Sequence, residues 1–262
     1  MAGPGREVPA VARALDLLGL FLDGQGPRSV PEMTAALGLP RSTTYELVQT
    51  LVARNCLRPT DPTGRRFGLG LRLFELGSAY AEGIDVTEQG QQVADDVVRQ
   101  CDETVHIAVL DGTEVIYLVK VDSPQTVRMV SAVGKRLPAH CTAVGKAMLA
   151  GLSDSEVAAR YADPFEWVRM TPHTIIGLDA LLAELARIRR RGLAYDNCES
   201  NLDVRCVAAA VRDATGAVVA GLSISVPVHR SEPLESALGK YAAAAAEELS
   251  RRLGHRGAVG RH

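Results

Sequence analysis

The chain has 262 residues, of which 47% are hydrophobic, and its 29 Lys and Arg against 31 Asp and Glu give a formal net charge of −2 at pH 7. This length leaves room for two domains with buried cores, and the mildly acidic balance excludes a protein that coats nucleic acid over its whole surface. The sequence shows neither the roughly 18 uninterrupted apolar residues of a membrane helix nor an apolar signal core. We therefore expect a cytoplasmic protein without a membrane partner.

The five cysteines are scattered along the chain and are never spaced as C-x-x-C. This pattern supports neither a disulfide framework nor a zinc ribbon, so we expect reduced thiols, no metal and no cofactor. His140 lies beside Cys141, but a metal would need further ligands that the local sequence does not supply.

Apolar residues at helical spacing predict a first helix that ends at residues 23–24. These residues are Val8, Val11, Leu15, Leu18 and Leu22. We expect this face to pack beneath the helices that follow, which makes its role structural.

Residues 29–52 predict two short helices joined by a tight turn. Ser29 and Glu32 have the spacing of a capping box, which places the first helix start near Val30. Gly38 favours the left-handed residue that ends this helix, and Pro40 suits the opening turn of the next. The second helix has a face that should pack inward, formed by Thr44, Leu47, Val48 and Leu51.

The opposite face of this second helix is polar and begins with small hydroxyl residues. Short donors at a helix start reach phosphates and base edges when the helix lies in a major groove. The candidate DNA-binding residues on this helix are Arg41, Ser42, Thr43, Tyr45, Glu46 and Gln49. Taken alone, the pattern also fits an ordinary αα-hairpin.

A predicted β-hairpin follows, in which residues 56–60 and 65–69 flank a turn at 61–64 with Pro at its second and Gly at its fourth position. Arg65 and Arg66 lie beside its tip, as in a wing that contacts phosphates. Between residues 26 and 72 there are seven Arg and no Lys against three acidic residues, which gives a local net charge of +4. A basic segment within a mildly acidic chain favours a winged helix-turn-helix that binds double-stranded DNA.

Beyond residue 70 the pattern predicts a linker helix and then a larger α+β domain. Asp111-Gly112 is a strong hairpin signal, so the strands around it should be antiparallel, and helices segregated around an antiparallel sheet define the α+β class. The predicted domains are 1–70, a linker helix at 71–85, 86–254, and a mobile tail at 255–262. In the larger domain the predicted helices are 87–102, 143–151, 154–161, 178–191 and 233–253, and the predicted strands are 104–111, 113–123, 126–132, 193–196, 206–212 and 218–226.

From about residue 8 to 253 the chain resembles the IclR-type bacterial transcriptional regulators. In the first domain the resemblance rests on LGLPRSTTYELVQTLV and FGLGLRLFELG. In the second it rests on VGKRLPAHCTAVGKAMLA, RRRGLAYDNCESNLDVRCVAAAVRD and AVVAGLSISVPVHR. The resemblance implies a winged helix-turn-helix joined by a linker helix to a GAF-like effector-binding domain, in homodimers or homotetramers that read an inverted-repeat operator.

The resemblance also implies a site for a small organic acid or aromatic metabolite, formed by the backbone of Ala143 and Val144 and the side chains of Asp196, Cys206, Ser223 and Ser225. Backbone N–H groups at a helix start favour an anion, and two serines spaced by two share one strand face. Plainer roles remain open, with the cysteine as a small buried hydrophobe, the aspartate as a turn cap and the serines on the outer face. Lys146, in the same motif, is expected to reach solvent.

Glu46 departs from the basic residue that many family members have in the reading helix, and it can accept a hydrogen bond from a cytosine amine. The chain contains no phosphate loop, nucleophile elbow or H-E-x-x-H motif, so we expect a regulator and not an enzyme. Two alternatives are a DNA-binding protein whose second domain only oligomerises and a GAF-fold cysteine redox enzyme. The effector, the operator and the choice between repressor and activator are left open.

Overall fold

The computed structural model describes residues 7–23, 26–82, 85–125, 132–231 and 237–255, and the chain divides into two compact units, Met1–Gly83 and Ile84–His262. The first unit contains helices α1 (Pro9–Gly19, continued by a 3-10 turn at Leu20–Asp23), α2 (Val30–Leu37), α3 (Arg41–Ala53) and α4 (Leu71–Glu82). Its strands are β1 (Arg28–Ser29), β2 (Leu57–Pro59) and β3 (Arg66–Leu69), which form an antiparallel sheet in the order β1-β3-β2. This is the predicted winged helix-turn-helix.

Local signals set the boundaries of α2 and α3. The Ser29 N–H donates to the Glu32 carboxylate at 2.6 Å and the Glu32 N–H donates to the Ser29 hydroxyl at 3.4 Å, which confirms the capping box. Gly38 ends α2 with a φ of 62°, and Pro40 is the N-cap of α3. The two helices pack on α1 and the wing through a small core of Leu17, Met33, Val48, Leu51, Leu57 and Phe67.

The prediction for the buried face of α1 is wrong. Leu17 is buried, whereas Val8 and Val11 are exposed, and Leu15 and Leu22 are 62% and 78% exposed. Only Leu18 of the predicted set packs against the core. The apolar stripe of α1 therefore lies on the surface of this unit. Helical periodicity identifies an apolar face but not the element against which that face packs.

The second unit contains helices α5 (Asp85–Cys101), α6 (Ala143–Leu149), α7 (Asp154–Arg160), α8 (Leu178–Arg191) and α9 (Leu238–Arg252). Its strands are β4 (Thr104–Asp111), β5 (Glu114–Val121), β6 (Arg136–Pro138), β7 (Ala194–Asn197), β8 (Val204–Arg212) and β9 (Val218–Pro227). They form one antiparallel sheet in the order β6-β5-β4-β9-β8-β7, and the predicted α+β class is confirmed.

The sheet buries both of its faces. Leu222 and Ile224 of β9 belong to a core shared with α5 and α9, so the alternate residues Ser223 and Ser225 face α6. Gly221 permits a close approach of α6, because a Cβ at this position would lie 2.5 Å from Val144 Cγ2. The sequence thereby places a row of polar side chains beneath a buried helix.

Two predicted segments lie mostly outside the described residues. The strand predicted at 126–132 lies outside the described residues except for Ala132, and the short edge strand β6 was missed because three residues carry no periodic signal. Most of the predicted mobile tail, 256–262, also lies outside them. Its first residue, His255, is described, and its N–H donates to the Ser250 carbonyl at 2.9 Å. Within the described ranges, no helix is both long and apolar enough to span a bilayer.

Candidate DNA interface and effector site

Helix α3 turns a polar face outward. Thr44 and Val48 are buried and anchor the helix, while Tyr45 is 54% exposed. Thr43 is half-buried. The other predicted DNA-binding residues of α3 are exposed, namely Arg41, Ser42, Glu46 and Gln49. The helix thus presents the side chains that a major-groove reading helix requires.

The tip of the wing is organised by Asp61. Its carboxylate accepts hydrogen bonds from the backbone N–H groups of Arg65 at 2.9 Å and Arg66 at 2.8 Å, and from the Thr63 hydroxyl. The Thr63 hydrogen bond, followed by the one from the Arg66 backbone, lowers the pKa of Asp61. Gly64 supplies the turn residue with positive φ. The hairpin therefore presents its two arginines on an ordered loop.

The two wing arginines differ in their contacts. The Arg66 guanidinium donates to the Pro27 carbonyl at 2.5 Å and lies 3.4 Å from the carboxylate of Glu32, the capping-box residue of α2. The Arg65 side chain makes no hydrogen bond or ion pair with any residue that the structure describes. Arg66 thus also ties the wing to the start of α2, whereas Arg65 has no such contact within the described residues.

The remaining basic residues of this unit separate into paired and unpaired groups. Arg28 is paired with Asp23, and Arg72 with Glu75 at 2.9 Å. Arg54 and Arg58 line a groove of about 740 Å³ at the base of the wing. The positive charge predicted from the sequence is therefore distributed over more than one surface.

We expect Arg65→Ala and Arg66→Ala each to weaken binding to operator and random DNA alike. Each lost phosphate contact should lower the slope of log affinity against log salt by about 1. Anisotropy titrations on one operator and one random duplex, at several salt concentrations, measure this slope. A wild-type slope in either variant would remove that arginine from the phosphate contacts.

We expect Glu46→Ala to change base preference more than non-specific affinity. Glu46 is exposed on α3 and its carboxylate makes no ion pair within the described ranges, so it is available to accept from a cytosine amine. Binding to a library of operator variants and to random duplex tests this expectation. Equal losses on both would show that Glu46 does not read sequence.

In the second unit, strand register brings three of the predicted effector residues into one row. Cys206 of β8 lies opposite Asp196 of β7 on one side and opposite Ser225 of β9 on the other. Ser223 lies opposite His106 of β4. Asp196 and both serines are buried, and this row faces α6. The outer-face alternative for the serines is therefore wrong.

A hydrogen-bonded chain runs through this row. The Cys206 thiol donates to the Ser225 hydroxyl at 3.2 Å, and the Ser225 Oγ lies 3.3 Å from His106 Nδ1. Burial lowers the pKa of His106 to about 4, so its imidazole is neutral at physiological pH. Burial also raises the pKa of the Cys206 thiol, which stays protonated. His106 was not predicted, because only the register of β4 with β9 reveals it.

Lys146 contradicts the prediction that it reaches solvent. It is fully buried, and its Nζ lies 2.5 Å from both carboxylate oxygens of Glu199. Helix α6 is buried along its whole length, so the Lys146 side chain does not extend into water as a lysine on a helix usually does. Burial raises the pKa of Glu199, and the charge of Lys146 opposes this rise.

Asp196 holds the turn that carries Glu199. Its carboxylate accepts from the backbone N–H groups of Glu199 at 2.6 Å and Ser200 at 3.3 Å, and from the Ser200 hydroxyl. The Thr174 hydroxyl donates to the Glu199 carbonyl at 2.7 Å. Burial raises the pKa of Asp196, although the hydrogen bonds from this turn oppose the rise. Asp196 therefore caps a turn, which was one of the two roles left open by the sequence, and it also lies in the polar row.

The start of α6 lies above this row. The Thr142 hydroxyl caps the helix by accepting from the Gly145 N–H at 3.2 Å. Ala143 and Val144 are buried and occupy the first two positions of α6, where a helix provides no acceptor for the backbone N–H groups. Backbone donors at a helix start are a place where an anionic oxygen is favoured.

A winged helix-turn-helix in one unit and a buried polar row in the other are typical of DNA-binding regulators that carry a sensory domain. The family model described as the IclR helix-turn-helix domain matches residues 10–61, and that of the bacterial transcriptional regulator IclR C-terminal domain matches residues 78–251. The chain belongs to the IclR family of bacterial transcriptional regulators.

Relatives of known class agree. The transcriptional regulator XynR of Escherichia coli (strain K12) is 31% identical over 95% of this chain and 98% of its own length. The transcriptional repressor AllR of Salmonella typhi is 31% identical over 94% of this chain and 90% of its own. The crystal structure of Thermotoga maritima IclR superimposes with a TM-score of 0.75 at 29% identity, covering 95% of this chain and all of that one. The family and these relatives are transcriptional regulators and not enzymes.

Proposed function

We propose that this protein is a sequence-specific repressor whose affinity for double-stranded DNA is controlled by a small organic acid or aromatic metabolite. The observation that carries the proposal is the buried polar row beneath α6, in which Asp196, Cys206 and Ser225 are aligned by register. Buried polar groups cost stability unless they are hydrogen-bonded. A connected row of them in a core is therefore typical of a site that binds a ligand. The backbone donors of Ala143 and Val144 suit the acid group of such a ligand.

The effector acts in this proposal by binding one arrangement of the DNA-reading helices better than another. A ligand shifts such an equilibrium only by its difference in affinity for the two states. The site residues we assign to it are Ala143, Val144, Asp196, Cys206, Ser223 and Ser225. As a regulator of bacterial DNA, the protein would act in the cytoplasm.

We further propose that the protein binds an inverted repeat as a homodimer, and that two dimers can join as a tetramer. The N-terminal unit exposes an unusual number of large apolar side chains, among them Leu15 at 62% and Phe74 at 71%. Exposed apolar residues on this scale are typical of an interface. A second copy is the fitting partner, because two reading helices on a twofold axis roughly double the specific contacts with an operator.

The competing function is a DNA-binding protein whose second unit only oligomerises. A thermal-shift screen of the full-length protein with small aliphatic and aromatic acids separates the two. The proposal expects the unfolding temperature to rise with at least one acid, because a ligand that binds only the native state stabilises it. No response to any acid, together with specific operator binding, would favour the oligomerisation-only function.

The cysteine redox alternative lacks a physical basis at these positions. Burial raises the pKa of the Cys206 thiol and raises that of Cys141 to about 12, which leaves both thiols protonated. A redox-active cysteine needs a thiolate, stabilised by a nearby positive charge or base.

A further inference from the structure

Tyr117 of β5 lies in the same core cluster as α6 and the polar row. Its side chain is buried, and its ring centroid lies 4.8 Å from that of His106. Strand register places Tyr117 opposite Ala108 of β4, which packs in the same cluster beneath α6, so the Tyr117 ring lies on the sheet face that carries the polar row. The ring therefore borders the proposed effector site.

The phenol hydroxyl is an unused donor in an otherwise satisfied environment. The thiol of Cys206 donates to Ser225, Lys146 donates to Glu199, and the carboxylate of Asp196 accepts from its own turn. Among the described residues neither the Tyr117 hydroxyl nor that of Ser223 has a hydrogen-bond partner. Burial is the main cause that raises the pKa of Tyr117, so the O–H keeps its proton.

The positive charge of Lys146 is already paired within the protein, so the donors left for a ligand are neutral. The Lys146 ammonium is held by Glu199, and the imidazole of His106 is neutral. The donors without a partner among the described residues are the hydroxyls of Tyr117 and Ser223. Donors without acceptors suit a ligand rich in acceptor oxygens.

We infer that Tyr117 contacts the effector directly, and that its O–H, with the Ser223 hydroxyl, donates to a carboxylate or carbonyl oxygen of the ligand. This inference rests on the proposed function. It adds a specificity-determining residue to the site, because a bound ligand without an oxygen acceptor at this point would shield the O–H from water and leave it unpaired.

The test compares Tyr117→Phe with Tyr161→Phe in the full-length protein. Tyr161 is the control, since its hydroxyl is buried without a partner among the described residues and its ring lies in an aromatic cluster, stacked on Trp167 at 4.9 Å. Isothermal titration calorimetry with acetate, pyruvate and benzoate measures affinity, and thermal unfolding without ligand measures folding. We expect at least one acid to bind the wild type, Tyr117→Phe to bind it about tenfold more weakly, and Tyr161→Phe to bind within about twofold.

Ligand-free stability distinguishes a contact from a structural role. Removal of a hydroxyl that has no hydrogen-bond partner among the described residues should leave the unfolding temperature of Tyr117→Phe unchanged or higher. Equal affinities in Tyr117→Phe and the wild type, or equal losses in both variants, would overturn the inference. If none of the three acids binds the wild type while operator binding is specific, the inference fails and DNA-binding regulation stands. If operator binding is also absent, the proposed function fails.

Discussion

Lys146→Met is expected to destabilise the second unit by about 3–5 kcal/mol. The substitution keeps the apolar stem of the side chain but leaves the Glu199 carboxylate buried without its partner. A buried charge that loses its counterion costs far more than an exposed one, because water cannot replace the lost interaction. Trp167 is the sole tryptophan of the chain and belongs to this unit, so its fluorescence during urea unfolding reports the loss directly.

Two companion variants separate the buried charge from other effects. Lys146→Met combined with Glu199→Met should recover much of the stability, since replacement of both partners of a buried pair by apolar residues is often neutral. Arg187→Ala removes a pair with Glu184 whose arginine side chain is 55% exposed, and should cost at most about 1 kcal/mol. A loss below about 1 kcal/mol for Lys146→Met itself would show that the pair is not buried as described.

Phe74→Asp is expected to convert the protein from a dimer to a monomer and to reduce operator affinity by about 10³-fold or more, toward its affinity for random DNA. Phe74 lies on α4 and is 71% exposed in the single chain, which is unfavourable for a large aromatic side chain unless a partner covers it. A charge placed there would be buried on association. Sedimentation velocity measures the change in mass, and anisotropy measures the change in affinity.

Leu202→Asp is the matched control for Phe74→Asp. It introduces the same charge at an apolar residue of the second unit that is 55% exposed, and it should leave operator affinity near the wild-type value. If Phe74→Asp keeps the wild-type mass and affinity, the exposed apolar residues of the first unit do not mediate self-association.

The winged helix-turn-helix was predictable because its sequence signals are local. The capping box at Ser29, the left-handed Gly38 and the turn around Asp61 each fix backbone geometry within a few residues, and the structure has all three. The buried face of α1 was not predictable in this way. Its apolar stripe satisfies the helical period, but the residue that packs on the core is Leu17.

The effector site shows the same division. Family resemblance supplied Asp196, Cys206 and Ser225, and strand register aligns them. His106 and Tyr117 carry no sequence motif, and only the pairing of β4 with its neighbours brings them to this face. Lys146 was mispredicted because its burial depends on the packing of α6 between other elements, which one helix pattern does not reveal.

We expect this protein to bind a specific operator with an affinity that a small acid changes. The most direct measurement is an anisotropy titration of the full-length protein on the intergenic DNA upstream of its own gene, at near-physiological salt, with excess random competitor and with or without an acid that raises its unfolding temperature. We predict saturable binding that survives the competitor and weakens when the acid is added. Binding no tighter than to random DNA, with and without the acid, would contradict the claim.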